Sequence, residues 1–315
     1  MLFPKIKRYY HVVVRFLTHD IWHFDTIAFG RGTALGVRYL KILLITIRSM
    51  SAHKVGLQAA ALTFFTMIAI IPFVALVYAI TKGFGFTKEL ESIIYANFSG
   101  QEEIVQRILE FANNLLDTSK SGLFGIIGSA TFLWSIIWVM ISVEQAINNV
   151  WQVKNSSSFG RKVLIYTGLI IFSPALIGAS FLIPLSYNTF LQSIGLHFKF
   201  LTSLEPIVGW LMLFLFLGGL IFAAYKLIPN TKIETMPALY AAIITTIASM
   251  AMQALYLETQ IFVSRLNAIY GAFAAIPFFM FWMQMNWFLI LLGAELSFAF
   301  QNIDCYKHYG TKTTL

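Results

Sequence analysis

Charge is scarce in this chain: 11% of its 315 residues are Asp, Glu, Lys or Arg, and 14 of them are acidic. A soluble globular chain carries about a quarter charged residues, so a surface that meets water on all sides is excluded. Cysteine is almost absent. The single one, Cys305, rules out a disulfide within the chain. Gly/Ser-rich linkers, low-complexity tracts and long charge runs are also missing, which favours one domain. No apolar core of signal-peptide length follows Lys5, Lys7 and Arg8, so the first span is expected to direct insertion itself. Motifs of chemistry are missing too: there is no Walker loop, no nucleophile elbow and no HExxH. The six histidines (His11, His19, His23, His53, His197 and His308) form no ligand set with acids at binding spacing, His19 and His23 being ordinary interfacial residues. No catalytic residue, metal site or cofactor is expected, and the chain reads as a non-enzyme. A basic and aromatic stripe of the kind that reads nucleic acid is likewise missing.

What is present is apolar residues in long runs, 58% of the chain, with a mean hydropathy of +0.75. A hydrocarbon core of about 30 Å needs roughly 20 apolar residues per helix. That length predicts six membrane helices at about 55–81, 123–147, 163–190, 207–226, 237–258 and 272–299. A barrel would instead show short alternating segments. The fold class is therefore an all-α, polytopic membrane bundle over residues 55–300, with a basic segment 1–54 and a tail 301–315.

Orientation follows from Lys and Arg. With residues 1–54 inside, the inner segments hold 9, 3, 2 and 2 of the 22 cations and the outer ones 4, 1 and 1. Both termini are expected in the cytoplasm, where the net charge of +8 meets anionic lipid headgroups. Residues 37–50 place Arg38, Lys41 and Arg48 on one helical side and Leu40, Leu43, Leu44 and Ile47 elsewhere. That pattern predicts a helix in the inner interface, the alternative being a solvated lead-in to the first span. Outside, Ile93, Ile94 and Phe98, then Ile104, Ile108, Phe111 and Leu115, recur at helical spacing around a break at Phe98–Gly100 and predict a short helical cap.

Polar residues within the spans are patterned. Ala238, Ala242, Thr245, Ser249 and Gln253 follow one another on one side of the fifth span, and Ser135, Trp138, Ser142, Gln145 and Asn149 on one side of the second. Both sides are expected to face the bundle, either to pair helices through hydrogen bonds or to line a polar path. Pro72 in the first span and Pro174 in the third each free a carbonyl and predict kinks against protein or a wet cavity. Gln284 and Glu295 lie 11 residues apart, close to three turns, and share a side of the last span. Glu295, beside the small pair Gly293-Ala294, and Glu144 both approach the inner surface. Intramembrane carboxylates are costly, so each needs a partner. For Glu295 the expected partners are Arg161, Lys162 or Gln58. The roles open to these acids are an ion pair that fixes register and coupling or gating of a path.

YANF at 95–98, IVQRILEF at 104–111, AINNVWQVK at 146–154, FSPALIGAS at 172–180, LIPNTKI at 227–233, IYGAFAAIPFFMFW at 269–282 and LLGAE at 291–295 resemble the YihY/BrkB family of bacterial inner-membrane proteins across nearly all of residues 50–303. The resemblance implies six spans and an inner-membrane location. Members were once labelled ribonuclease BN, and one branch carries a virulence-factor label; the first does not agree with the missing catalytic cluster. Two functions are left: translocation of a lipid or small molecule, and a membrane scaffold for envelope assembly.

Overall fold

The computed structural model describes residue 21 and residues 31–85, 87–97, 105–107, 109–111, 113–114, 122–153, 160, 164–166, 168, 205–270 and 275–303. Among these residues there are helices and no strands. They are α1 (Arg31–Ala52), α2 (Val55–Phe84), α3 (Thr87–Asn97), α4 (Gly122–Val150), α5 (Glu205–Leu227), α6 (Thr235–Tyr270) and α7 (Ala275–Asn302).

Three described helices are long and apolar enough to cross a membrane: Ile207–Leu227, Thr235–Thr259 and Ile276–Asn302. A fourth crossing is counted if Gly32–Ala52 and Val55–Ile70, bent by 61° to each other, form one broken span. The expected first and second spans fall on α2 and α4, of 30 and 29 residues. Pro72 sits within α2, which runs on through it. The expected third span, with Pro174, lies almost wholly outside the described residues, as do Arg161 and Lys162.

The bundle is apolar outside and buries several polar side chains within its apolar core. Leu57, Phe64 and Ile68 on α2, Trp210, Leu211 and Leu215 on α5, and Ile243, Ile244 and Ile247 on α6 are exposed, whereas Thr245, Thr246, Ser249, Glu295 and Ser297 are buried. Water does not tolerate so large an apolar exterior. Hydrocarbon does, provided the polar groups are satisfied inside.

Helix α7 is the hub, packing on α1, α2, α4, α5 and α6. Its antiparallel register with α6 is marked by Tyr256 stacked on Trp282 at 5.0 Å and Tyr240 against Phe300 at 5.9 Å. Midway, Gly293 meets Thr245 and Tyr225, and a Cβ there would overlap both side chains. Only glycine lets the helices approach so closely. Trp287 Nε1 of α7 donates to Thr66 Oγ1 of α2 at 3.0 Å.

Helix α1 buries Lys41, Ile42, Ile45, Thr46 and Ser49, with Ile42 and Ile45 packed on Ala299 and Ile303 at the end of α7. This corrects the expected division of the helix. Lys41 is turned into the protein, because the α7 contact takes the side between Arg38 and Arg48, and the outer face carries exposed Leu35, Tyr39, Leu43 and Ile47.

The corner after α1 turns on Lys54, which holds a left-handed φ of 51° although it has a Cβ. Its carbonyl accepts from Leu57 N at 2.9 Å and Gln58 N at 3.1 Å, so the residue that ends α1 also starts α2. Beyond α2, α3 is tied back by Tyr78 Oη to Glu91 Oε1 at 3.3 Å, and Lys82 Nζ reaches Asn113 Oδ1 at 3.0 Å. In the segment after α3 Val105 and Leu109 are buried and Phe111 is exposed, whereas the expected Ile104, Ile108 and Leu115 lie outside the described residues.

Candidate functional site

At the end of the bundle where α1 meets α2 and α4 and α7 finish, two buried carboxylates and a polar crevice come together. Glu295 is wholly buried, and its Oε1 lies 2.6 Å from Nδ1 of His53. Gln58, one turn into α2, donates from Nε2 to the His53 carbonyl at 2.8 Å. A partner of Glu295 is thus His53; of the expected partners, Gln58 bonds the His53 carbonyl, and Arg161 and Lys162 lie outside the described residues. The bend at Lys54 is what delivers His53, by bringing the end of α1 against α7. Glu295 Oε2, Ser297 Oγ and Gln58 Oε1 are buried and have no hydrogen-bond partner among the described residues.

Glu144 is also buried and accepts from the Tyr166 hydroxyl. On the same side of α4, Asn148 Oδ1 accepts from Asn230 N at 3.0 Å and so holds the α5–α6 connection. Gln301 of α7 holds that connection from the other side, taking Glu234 N at 2.9 Å and giving to Lys232 O at 3.2 Å. Val153 N bonds Asn148 O at 3.0 Å while Gln152 adopts a φ of 53°, a Schellman-type end that stops α4 here.

The opposite side of α4 corrects a second expectation. Ser142, Gln145 and Asn149 do share one side, but it opens into a crevice against α2 instead of packing into the bundle; Gln145 and Asn149 are exposed. Val143, Ala146, Ile147 and Val150 make the core contact, since small and β-branched side chains pack more closely than amides. The crevice holds about 400 Å³. Gln58, Ser142, Gln145 and Asn149 give its polar lining, and Ala61, Leu62, Phe65 and Ala146 its apolar one. Ser142 Oγ is bonded to Trp138 O at 2.9 Å.

The polar side of α6 does face protein. Thr245 Oγ1 and Tyr225 Oη are 3.1 Å apart, and Tyr225 Oη donates to Ile290 O at 2.7 Å, which closes the contact over Gly293. Ser249 is buried without a hydrogen-bond partner among the described residues. Gln253 and Gln284 are half-buried, and the α6–α7 register sets them level with each other. The structure therefore gathers Glu295 and Gln58 around His53, and Thr245 around Gly293, while Gln253, Ser249 and Gln284 lie further along α6 and α7. His53, Tyr166, Tyr225 and Asn148 were missed by sequence reasoning. Only His53 left a signal, a polar His-Lys pair between an amphipathic helix and an apolar run.

No group of three metal-ligating side chains exists among the described residues. The arrangement offers neutral hydrogen bonding in the crevice and a buried carboxylate–imidazole pair behind it.

The family profile described as Virulence factor BrkB matches residues 46–312. The UPF0761 membrane protein of Mannheimia succiniciproducens is 34% identical over 264 residues, covering 78% of this chain and 84% of that protein. A UPF0761 membrane protein of Haemophilus influenzae is 28% identical over 263 residues, covering 81% and 93%. One from Chromohalobacter salexigens is 28% identical over 278 residues, covering 85% of this chain but 66% of that longer protein. No solved structure matches the chain. With the apolar helices and their outward-facing side chains, these matches place the protein in a membrane, and the chain belongs to the BrkB family of membrane proteins.

Proposed function

We propose that this protein translocates a lipid or amphipathic small molecule across a bacterial inner membrane, with six spans, both termini in the cytoplasm and no enzymatic activity. The observation that carries this reading is the crevice between α2 and α4. Amide and hydroxyl side chains from Gln58, Ser142, Gln145 and Asn149 line a space open at the bundle surface, where a purely structural helix pair in hydrocarbon would close its polar groups against each other. An open polar groove beside apolar Leu62 and Phe65 fits a molecule with a polar head and an apolar body. The cation asymmetry supports a cytoplasmic position for this groove.

The test is a deletion strain whose envelope lipids and exported metabolites are compared by mass spectrometry with wild type and with a Gln145→Leu, Asn149→Leu strain. Translocation expects one class of molecule to change in the deletion and to stay changed in the double variant. An unchanged profile in the deletion overturns it. A scaffold role, which the outer helix α3 favours, expects that profile to be restored by the double variant.

A further inference from the structure

We infer that the crevice recognises an uncharged, hydroxyl-bearing headgroup, such as a sugar or polyol, on an amphipathic molecule. This rests on the crevice being the translocation site, and adds the class of ligand.

The lining decides the class. Its polar residues are Gln58, Ser142, Gln145 and Asn149, and none of the eight lining residues carries a formal charge. A phosphate or carboxylate calls for Arg, Lys or a helix N-terminus, and a quaternary ammonium calls for an aromatic cage or carboxylates. Three carboxamides and a hydroxyl offer donors and acceptors in nearly equal number. Hydroxyl groups do the same, each giving one proton and accepting through two lone pairs. Gln58 Nε2 is committed to the His53 carbonyl and its Oε1 is buried, so the exposed amides of Gln145 and Asn149 present most of the accessible polar lining. The space of about 400 Å³ admits one hexose ring with the first few carbons of a chain. Leu62 and Phe65 give that chain an apolar part of the lining to meet. The two buried carboxylates, Glu295 and Glu144, are turned to other partners, so the crevice has no charge of its own to match.

The probes are hexyl glucoside, hexyl phosphate and hexyltrimethylammonium, with free glucose as a chainless control. They are titrated below micelle formation onto the full chain held in amphipol, with isothermal calorimetry and thermal unfolding as readouts. Hexyl glucoside is expected to saturate and to bind at least tenfold more tightly than either charged probe. That advantage is expected to fall about tenfold in Gln145→Leu, Asn149→Leu, whose unfolding midpoint stays near wild type because both side chains are exposed. Free glucose binding as tightly identifies a soluble polyol and overturns the amphipathic ligand, whereas weaker binding of free glucose supports it. Equal or tighter binding of a charged probe, lost in the double variant, overturns the uncharged class while leaving translocation standing. Binding of every probe that ignores the double variant overturns both.

Discussion

His53 Nδ1 and Glu295 Oε1, 242 residues apart in sequence, stand 2.6 Å from each other at the point where α1 bends into α2. The contact ties the corner between α1 and α2 to α7. Because Glu295 is wholly buried and His53 is 13% exposed, the carboxylate depends on the imidazole for one of its two oxygens.

Removing the Glu295 side chain leaves the part-buried Nδ1 of His53 without this partner, a loss of about 1–3 kcal/mol. Glu295→Leu is therefore expected to lower the unfolding midpoint of the detergent-solubilised protein, and Glu295→Gln, which still hydrogen-bonds His53, to stay close to wild type. A complementation assay separates the two roles left open for this acid. If Glu295→Gln folds normally and fails to complement a deletion, the charge itself is used; if it complements, the pair is a structural tie. A midpoint for Glu295→Leu equal to wild type refutes the tie.

Gly293 sets the separation of α6 and α7, so Gly293→Ala is expected to be destabilising by about 1–3 kcal/mol through overpacking against Thr245 and Tyr225. Tyr225→Phe removes the hydroxyl that a new Cβ would meet. In a double-mutant cycle the two substitutions together are expected to cost less than their sum. Strict additivity in the thermal midpoints counts against the close approach.

Much of this was legible in the sequence, because lipid-facing helices need long apolar runs whatever they pack against. The positions of α5 and α7, and the buried side of α6 through Ala238, Ala242, Thr245 and Ser249, follow from that requirement and from helical period. Partners did not follow. His53 reaches Glu295 only because Lys54 takes a left-handed conformation, and a lysine gives no sign of that. On α4 the period correctly grouped Ser142, Gln145 and Asn149 but not which way they face, since the choice was made by Val143, Ala146 and Ile147 packing better.

The purified protein is expected to cleave no RNA in the presence of Mg²⁺, Mn²⁺ or Zn²⁺. Hydrolysis needs a metal cluster or an acid–base pair open to water, and no group of three metal-ligating side chains stands among the described residues. Cleavage that co-purifies with the wild-type chain and is lost on substitution of His19 or His23 overturns this.

Reporter fusions test orientation directly. Those placed after Ser157 and Thr313 are expected to report the cytoplasm and one after Gly100 the outside, from the distribution of Lys and Arg. A cytoplasmic signal at Gly100 reverses the assignment and moves the crevice to the outer leaflet.

The outer face of α1 leads to the last expectation. A helix packed on protein in water is polar on its far side, yet α1 packs Ile42 and Ile45 on α7 and still exposes Leu43 and Ile47, at 52% and 54%. Arg38 and Arg48 are exposed as well. Apolar residues on the outer side and exposed cations along one edge suit the boundary between acyl chains and anionic headgroups. With Cys305 replaced by Ser, a polarity-sensitive fluorophore on a cysteine at position 43 or 47 is expected to shift to the blue in proteoliposomes and to be quenched by shallow spin-labelled lipid. One at Arg38 is expected to respond to aqueous iodide instead. Raising the fraction of phosphatidylglycerol is expected to strengthen the lipid quenching at both apolar positions, because it draws the two arginines toward the surface. Iodide quenching at position 43 equal to that at Arg38 places the helix in water, and disulfide-linked dimers through position 43 replace the lipid with a second copy of the chain; either outcome removes α1 from the interface.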